Sequence, residues 1–363
     1  MNRVAIIMED MRLGGPQKQL INLLNQLIKN KNVKKYHLIL PLGSKKIISK
    51  FLDPSLIKIE EIDIQYLSKR NILRYFLNFI KESIEIRKKL LSFNSVYLPG
   101  GTSNLKSLLI SVILKKNIFF HVHDTKLNKF SKFLIFALSR NLQTVFFASE
   151  KSQDYYKYIF QKSKKILLRS SVLPIRIKIR KKTNNILNIG MVANINPDKN
   201  IELFIDIVKS IKSKKIKFHL IGNLWDSQKK YFNNNLDSLK PIKQKINWYK
   251  NIYNPEKIMK KFDILICTSK YESLPLSIIE ALNLGIPVIS NDVGDIKKVI
   301  NNNKLRCGFI INDQDPKKFI DKIKYYEKNR KLLNKHSYNA KKNVLENFSI
   351  VNYTKKINKI FKV

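Results

Sequence analysis

The stretch "KYESLPLSIIEALNLGIPVIS", residues 270–290, contains the end of one structural element and the whole of the next. It follows the apolar strand pattern "FDILICTS" (262–269), shows a helical pattern around its second glutamate, and becomes apolar again after Gly285. Glu272 and Glu280 have seven residues between them. We therefore place Glu272 just after the carboxyl end of a strand and Glu280 inside the helix that follows.

Short apolar runs alternate with helical patterns on both sides of this stretch. The predicted strands are 4–8, 36–41, 95–100, 117–123, 144–149 and 165–169, then 185–192, 216–222, 246–249, 262–269, 286–290 and 308–312. The clearest helical patterns are 17–29, 72–91, 199–212, 255–261, 275–284, 316–328 and 349–361. Repeated βα units predict parallel sheets with helices on both faces, here as an α/β fold of two doubly wound, Rossmann-like domains.

The segment "PIRIKIRKKTNN" (174–185) interrupts the alternation with a proline, a basic run and a polar turn. We predict a first domain over 1–175, a second over 184–347, and a closing helix within 348–363 that packs back toward the first domain. Parallel sheets bind ligands at the carboxyl ends of their strands. Two such sheets facing each other would enclose a cleft.

The composition is strongly basic, with 70 Lys and Arg against 27 Asp and Glu and a formal charge of +43. Such a field attracts polyanions. Lys, Asn and Ile are abundant everywhere, however, which also fits compositional drift of an AT-rich genome. The cations are scattered and few aromatic residues lie among them, so we predict no specific nucleic-acid partner.

The longest apolar runs, such as "FLIFAL" (133–138), are far below the roughly 18 residues of a transmembrane helix. Glu9 and Asp10 follow the first apolar run at once, unlike a signal peptide. We therefore predict a cytoplasmic protein. Cys267 and Cys307 lie in no metal-binding pattern and are predicted to be buried, reduced thiols.

The opening stretch resembles the nucleotide-sugar motif of retaining glycosyltransferases of the GT-B fold, family 4, also called group 1. Four further segments resemble the same family in the same order along the chain. They are "MRLGGPQKQLINLL" (11–24), "HVHD" (121–124), "IGMVANINPDKNIELFI" (189–205) and "FHLIGN" (218–223). The resemblance implies that the first domain is the acceptor side and that the second binds a nucleotide sugar.

The resemblance assigns roles to particular residues. Lys199 matches the lysine that contacts the donor diphosphate, Glu272 the glutamate on the donor sugar, and Glu280 the glutamate that binds the ribose. Lys199, Glu272 and His123 are the implied catalytic residues. The implied donor-binding residues are Glu280, Gly14, Gly15, Ser273, Leu274, Pro275, Leu276, Gly190 and Asn194.

His123 ends a predicted strand, and its match in the family lies near the donor sugar. Asp124 stands beside it. We assign His121 to the opposite face of that strand, as a core or surface residue.

The sequence departs from the family pattern at the phosphate site. The family has an arginine shortly before the lysine, whereas the candidate positions here are Met191 and Asn196. Arg169 or Lys270 could supply the missing charge. The segments "GDIKK" and "GNLW" also differ from the family motifs, which leaves the nucleotide base open.

The segment "DQD" at 313–315 is a D-x-D, a pattern that other glycosyltransferases use to bind a divalent metal ion. Asp315 followed by Pro316 is also the pattern of a helix N-cap. We interpret it as the cap and predict no metal and no cofactor.

The predicted activity is retaining transfer of a hexose-type sugar from a nucleotide sugar to a glycan or lipid-linked acceptor. Bacterial capsule or lipopolysaccharide synthesis is the commonest setting for such relatives. Helical stretches 70–91 and 126–140 place cations beside apolar residues, so an anionic membrane surface is a further predicted partner, giving peripheral attachment. A GT-B nucleotide-sugar epimerase and a non-catalytic protein that binds nucleotide sugars or polyanions stay open as alternatives.

Overall fold

The computed structural model describes residues 3–66, 72–123, 127, 129–175, 186–224, 228–229, 231, 245–302 and 305–362. The chain divides into two compact units. Unit 1 comprises Met1–Leu173 and Ile350–Val363, and unit 2 comprises Pro174–Ser349. The basic segment that we proposed as the junction lies mostly outside the described residues, at 176–185.

Unit 1 contains a parallel sheet of seven strands in the order β3-β2-β1-β4-β5-β6-β7. The strands are β1 Val4–Ile7, β2 Tyr36–Pro41, β3 Lys58–Ile62, β4 Ser95–Leu98, β5 Asn117–Val122, β6 Thr144–Phe147 and β7 Lys164–Leu167. Alternate residues of β1 enter two different apolar clusters, with Val4 and Ile6 in one and Ala5 and Ile7 in the other. Both faces of the sheet are therefore covered, as parallel sheets require.

The helices of unit 1 connect these strands. They are Gly15–Lys29, Ser44–Ile48, Ile72–Leu77, Phe79–Leu90, Leu105–Ile113, Lys129–Leu138, Glu150–Tyr155 and Ile350–Phe361, with short 3₁₀ turns at Val33–Lys35, Pro54–Leu56, Gly101–Asn104 and Ser139–Asn141. The single helix expected over 72–91 is divided at Asn78. The helix Ile350–Phe361 places Ile350, Tyr353, Ile357 and Phe361 in the same cluster as β1.

Unit 2 contains a second parallel sheet, of six strands in the order β10-β9-β8-β11-β12-β15. The strands are β8 Leu187–Val192, β9 Ile216–Ile221, β10 Ile246–Tyr249, β11 Ile264–Cys267, β12 Val288–Asn291 and β15 Gly308–Ile311, with a small antiparallel pair of β13 Asn301–Asn302 and β14 Leu305–Arg306. The helices are Ile201–Ser210, Glu256–Met259, Leu276–Asn283, Ile296–Ile300, Pro316–Lys328 and Arg330–Asn347, and a 3₁₀ turn spans Pro197–Lys199.

These sheets confirm the predicted α/β class with two doubly wound units. The cleft between them that the resemblance implies stays a prediction. Across the described ranges, no helix is both long enough and apolar enough to cross a bilayer. Both cysteines are buried free thiols, as expected, and Asp315 caps the helix Pro316–Lys328 by accepting from the backbone N–H of Lys317 at 2.8 Å.

Candidate functional site

The sheet of unit 2 reverses its winding direction between β8 and β11. From β8 the chain proceeds outward to β9 and β10, and then returns to the other side of β8 to form β11, β12 and β15. At such a switch point the loops after the two central strands separate, which opens a crevice at their carboxyl ends. The loops that follow β8 and β11 carry Lys199 and Glu272.

The loop after β8 is held in shape by its own sequence. Asn196 accepts a hydrogen bond from the backbone N–H of Lys199 at 3.2 Å and so caps the 3₁₀ turn Pro197–Lys199. Pro197 occupies the first turn, where its missing N–H costs nothing. Asn200 then adopts a left-handed conformation, with φ of 50°, and begins the helix Ile201–Ser210. Lys199 therefore lies at a sharp corner of the backbone.

Two hydrogen bonds join the loop after β11 to the loop after β8. The hydroxyl of Thr268 donates to the carbonyl of Lys199 at 2.9 Å. The backbone N–H of Lys270 donates to the carbonyl of Asp198 at 2.7 Å. The backbones on both sides of the switch point are thus fixed relative to each other before any ligand binds.

Lys199 and Glu272 form an ion pair at this corner, between Nζ and Oε1. The hydroxyl of Ser269 donates to the same carboxylate oxygen at 3.0 Å. Burial alone would lower the pKa of Lys199, but the charge of Glu272 and the hydrogen bond to it outweigh burial and raise that pKa. Lys199 is therefore a cation at neutral pH. The side chains are 25% and 13% exposed, so the pair remains accessible.

A third loop, after β12, supports the first two. The Nδ2 group of Asn291 donates to the carbonyls of Thr268 and Ser269, at 2.8 and 3.2 Å. Gly294 has φ of +56°, and a Cβ there would lie 1.9 Å from the carbonyl oxygen of Ser273. Only glycine combines this left-handed backbone with so close an approach.

The segment that follows Glu272 begins the helix Leu276–Asn283. The predicted helix start is Pro275, but Pro275 is the N-cap residue and the helix begins one position later; Pro275 is partly exposed. Ser273, Leu274 and Leu276 are buried. The first N–H groups of a helix have no acceptor within it, and the helix dipole makes this end positive. Glu280 lies in the middle of the same helix and is 2% exposed.

The other two predicted donor-binding residues of unit 2 have structural contacts of their own. A Cβ at Gly190, within β8, would lie 2.0 Å from the ring of Phe262, so packing explains the glycine. Asn194 follows β8 and its Oδ1 accepts from the backbone N–H of Asn223 at 3.2 Å. This bond fixes the end of β8 against the loop after β9.

The candidate residues of unit 1 also lie at the carboxyl ends of their strands. Gly14 has an extended backbone and caps the helix Gly15–Lys29. A Cβ at Gly15 would find no heavy atom of the described chain within 4 Å, so this turn faces open space. His123 follows β5 and is partly exposed. Burial lowers the pKa of His123 to about 4, against the opposing effect of a hydrogen bond to the Pro99 backbone. The predicted neighbour Asp124 lies outside the described residues.

The assignment of His121 to the opposite face of β5 is wrong. Residues two apart in a strand point to the same face, and the ring centroids of His121 and His123 are 4.1 Å apart. His121 is buried, with 1% exposure. The period of the strand, applied correctly, would have paired the two histidines.

The two residues considered as replacements for the missing arginine belong to different units. Arg169 belongs to unit 1 and pairs with Glu150 there. Lys270 belongs to unit 2, and its residue is exposed. Within the described ranges, no group of three or more His, Cys, Asp or Glu is placed to hold a metal ion.

Residues 175–343 match the family model "Glycosyl transferases group 1". The match lies within unit 2, so it is this unit that resembles the family. The matched range includes both loops of the switch point, and therefore both Lys199 and Glu272.

Two bacterial glycosyltransferases are among the relatives of this chain. The poly(ribitol-phosphate) alpha-N-acetylglucosaminyltransferase of Staphylococcus aureus is 26% identical over 170 residues, 44% of this chain and 32% of that protein. The O-antigen biosynthesis glycosyltransferase WclY of Escherichia coli is 28% identical over 141 residues, 39% of this chain and 37% of that protein. The chain thus aligns with about a third of the length of these relatives.

Solved structures extend the likeness to both units. The HepE protein of Anabaena in complex with UDP-glucose superposes with a TM-score of 0.81, at 13% identity, over 100% of both chains. At that identity the likeness establishes the fold. The chain therefore has the GT-B fold.

Proposed function

We propose that this protein is a retaining glycosyltransferase that transfers a hexose-type sugar from a nucleotide sugar to a glycan or lipid-linked acceptor in bacterial surface polysaccharide synthesis. The observation that carries the proposal is the accessible Lys199–Glu272 pair at the β8/β11 switch point. The group 1 family match and the names of the relatives support it.

Breaking the bond between the sugar and the diphosphate places negative charge on the leaving oxygen. A fixed cation beside that oxygen stabilises the developing charge, and in this proposal Lys199 supplies it. The N–H groups at the start of the helix Leu276–Asn283 add a positive helix end for the diphosphate. The ion pair with Glu272 keeps Lys199 charged and holds its side chain in place before the donor binds.

Glu272 then contacts the donor sugar. Both hydrogen bonds that it accepts from described residues go to Oε1, which leaves Oε2 for a sugar hydroxyl. The carboxylate also faces the positive charge that develops on the sugar ring as the leaving group departs. Glu280, in the same helix, binds the ribose hydroxyls, where charge-assisted bonds contribute roughly 1.5–3 kcal/mol each.

Retention needs the acceptor to attack the face from which the diphosphate leaves. In this mechanism the acceptor hydroxyl forms the new bond to the anomeric carbon while the sugar–phosphate bond breaks. The leaving phosphate oxygen takes the proton of that hydroxyl. The protein positions the reactants and stabilises charge, and it needs no covalent intermediate.

The donor site is tested by calorimetry with a panel of nucleotides and nucleotide sugars, UDP-glucose among them. We expect Glu280→Ala and Glu280→Gln to weaken nucleotide binding, and Glu346→Ala, on an exposed helix position, to leave it unchanged. Unchanged donor affinity in both Glu280 variants contradicts the assignment.

The reaction is tested by nuclear magnetic resonance of the products. Transfer with the donor's anomeric configuration supports the proposal, and transfer with the opposite configuration contradicts retention. Isomerisation of the sugar without transfer would instead identify an epimerase. Failure to bind any nucleotide would leave the non-catalytic alternative.

Peripheral membrane attachment is a further part of the proposal. Leu73, Leu77 and Ile80 on the helices Ile72–Leu77 and Phe79–Leu90 are 71%, 73% and 74% exposed. Arg74 and Lys81 lie on the same helices, and Phe133 on the helix Lys129–Leu138 is 67% exposed. Apolar side chains beside cations suit an anionic lipid surface, where each cation near the surface contributes about 1 kcal/mol.

Sedimentation with phosphatidylserine and phosphatidylcholine vesicles at low salt tests this surface. We expect binding to the anionic vesicles only, and a loss of at least tenfold in the double variant Leu77→Ser/Ile80→Ser. The control Leu56→Ser alters an apolar residue that is 51% exposed elsewhere in unit 1. Equal sedimentation with both lipids, or no binding to either, contradicts the proposal.

A further inference from the structure

A row of polar side chains passes through the apolar interior of unit 1 and ends at His123. The hydroxyl of Tyr97, on β4, lies 2.9 Å from Nδ1 of His121. The His121 ring lies against the His123 ring, with the planes 31° apart. On the other side, Tyr97 is hydrogen-bonded to the phenol of Tyr353, on the helix Ile350–Phe361.

These polar groups are enclosed by aromatic rings. Tyr97 and His121 are each 1% exposed and Tyr353 is 4% exposed. The ring of Phe146 lies 6.1 Å from Tyr97 and 5.8 Å from His121, and the ring of Phe361 lies 5.3 Å from Tyr97. Burying phenols and an imidazole costs free energy unless they bond to each other. Phenylalanine would fill the tyrosine positions without that cost, so core packing alone does not explain the hydroxyls.

Burial keeps His121 and Tyr97 in their neutral forms. Burial first, and His123 second, hold the pKa of His121 well below its usual range. Burial also raises the pKa of Tyr97 well above its usual range, so the phenol keeps its proton. A neutral imidazole has one donor and one acceptor nitrogen. We assign Nδ1 as the acceptor from Tyr97, which places the proton of His121 on Nε2.

Strand β4 supports both histidines. Tyr97 holds His121, and Pro99, two residues further along, accepts from His123 through its carbonyl. His123 is therefore fixed by a hydrogen bond on one side and by the His121 ring on the other. Its partly exposed edge is the part available to a ligand.

We propose that Tyr353, Tyr97 and His121 are positioning residues that set the ring orientation of His123. The functional meaning of this inference rests on the proposed glycosyltransferase function, in which His123 orients the donor sugar. The helix Ile350–Phe361 is thus linked, through Tyr97 and His121, to the position of His123 after β5.

Tyr97→Phe and Tyr36→Phe form a matched pair of variants. Tyr36 lies in the same apolar cluster, and its hydroxyl donates to Oδ1 of Asn358 on the same helix at 2.6 Å. Each variant removes one buried hydroxyl together with the hydrogen bonds that this hydroxyl makes. Only Tyr97 belongs to the row that reaches His123.

Ring-nitrogen NMR of the full chain with labelled histidine tests the inference without any substrate. We expect His121 to carry its proton on Nε2 in the parent protein, and to lose this single tautomer in Tyr97→Phe. The ring-nitrogen chemical shifts of His123 should change in Tyr97→Phe, because the His121 ring packed against it loses its hydrogen bond, and should stay in place in Tyr36→Phe. Tyr353→Phe should give a smaller shift in the same direction and serves if Tyr97→Phe does not fold.

Two results would overturn the inference: a proton on Nδ1 of His121 in the parent protein, or the same His123 ring-nitrogen chemical shifts in the parent and in the Tyr97 and Tyr353 variants. If the NMR result is as expected but no sugar is transferred, only the proposed function fails. With UDP-glucose as the donor probe, the positioning role further predicts a lower kcat in Tyr97→Phe than in Tyr36→Phe, with KM little changed.

Discussion

A lysine–glutamate pair lies near the switch point of each sheet, but the two pairs differ in burial. In unit 2, the side chains of Lys199 and Glu272 are 25% and 13% exposed. In unit 1, whose sheet reverses between β1 and β4, the side chains of Lys106 and Glu82 are 0% and 3% exposed. The first pair can exchange its partners for a ligand, whereas the second cannot.

The buried pair of unit 1 has all of its partners within the protein. Lys106 also donates to the carbonyl of Gln65 at 2.5 Å and lies 4.1 Å from the ring centroid of Tyr75. Glu9, directly beyond β1, is 1% exposed, and its Oε1 accepts from the backbone N–H of Ser107 at 2.8 Å. The same two residue types therefore form a pair closed to water in unit 1 and a pair open to water in unit 2, and only the open pair suits the binding site that we propose.

The largest expected effect is on stability, in Lys106→Met. The variant leaves Glu82 buried without its cation, and breaking a buried pair in this way costs about 3–5 kcal/mol. Lys199→Met breaks an accessible pair and should cost about 1 kcal/mol or less. Urea unfolding followed by circular dichroism measures both, and equal losses would remove the distinction drawn between the pairs.

The second largest effect concerns how the free energy of unfolding depends on pH, through Glu9 of unit 1. Burial raises the pKa of Glu9 from 4.5 to about 7. The folded state therefore keeps a proton that the unfolded state has released, and the stability from Glu9 is lost as the pH rises from 4.5 to 7. The loss amounts to about 3 kcal/mol and should be absent in Glu9→Gln.

The difference between the parent protein and Glu9→Gln isolates this contribution. The buried histidines have lowered pKa values and act in the opposite direction over the same range, but they are common to both proteins. Glu346→Gln, at an exposed position, is the control. Parallel stability curves for the parent and Glu9→Gln between pH 5 and 8 would show that Glu9 ionises normally.

The accessible pair should affect turnover more than folding. We expect Lys199→Met to lower turnover of an accepted nucleotide sugar by about 100-fold, because the developing charge on the leaving oxygen loses its cation. Donor affinity should change far less. Steady-state kinetics with separate kcat and KM values decide the point, and an unchanged kcat would exclude Lys199 from the chemistry.

The smallest expected effect tests how Gly294 packs against the backbone next to Glu272. Gly294→Ala introduces a Cβ 1.9 Å from the carbonyl of Ser273, at a residue with φ of +56°. The left-handed conformation alone costs alanine about 1–2 kcal/mol. The variant should lower the thermal midpoint and weaken donor binding together, whereas Gly15→Ala, which faces open space, should leave stability within about 0.5 kcal/mol.

The short apolar runs between helical patterns predicted most of the strands, because the strands of these parallel sheets are buried on both faces. It missed β3, Lys58–Ile62, whose sequence "KIEEI" contains three charged residues. Charges of this kind suit an edge strand, since they discourage pairing with another chain. It also missed the helix Arg330–Asn347, a mostly polar segment in which Leu333, Ala340 and Val344 are among the few residues that pack inward.

The candidate site could be predicted only in part, for a topological reason. Lys199 and Glu272 are 73 residues apart, and the resemblance to a family brought them together before the structure did. Ser269 and Asn291 carry no motif that distinguishes them. Their role depends on β8, β11 and β12 being neighbours, which the order of elements along the chain does not specify.

The helix Ile350–Phe361 completes the core of unit 1 although the whole of unit 2 separates it from the rest of that unit. During synthesis, the sheet of unit 1 leaves the ribosome first, yet Tyr97 and Phe119 gain the ring of Phe361 only after unit 2 has been made. At translation rates of about 5–20 residues per second, that interval is of the order of ten seconds or more. Throughout that interval one apolar cluster of unit 1 lacks the four buried side chains that this helix contributes to it, so the first unit completes its core only after release of nearly the whole chain.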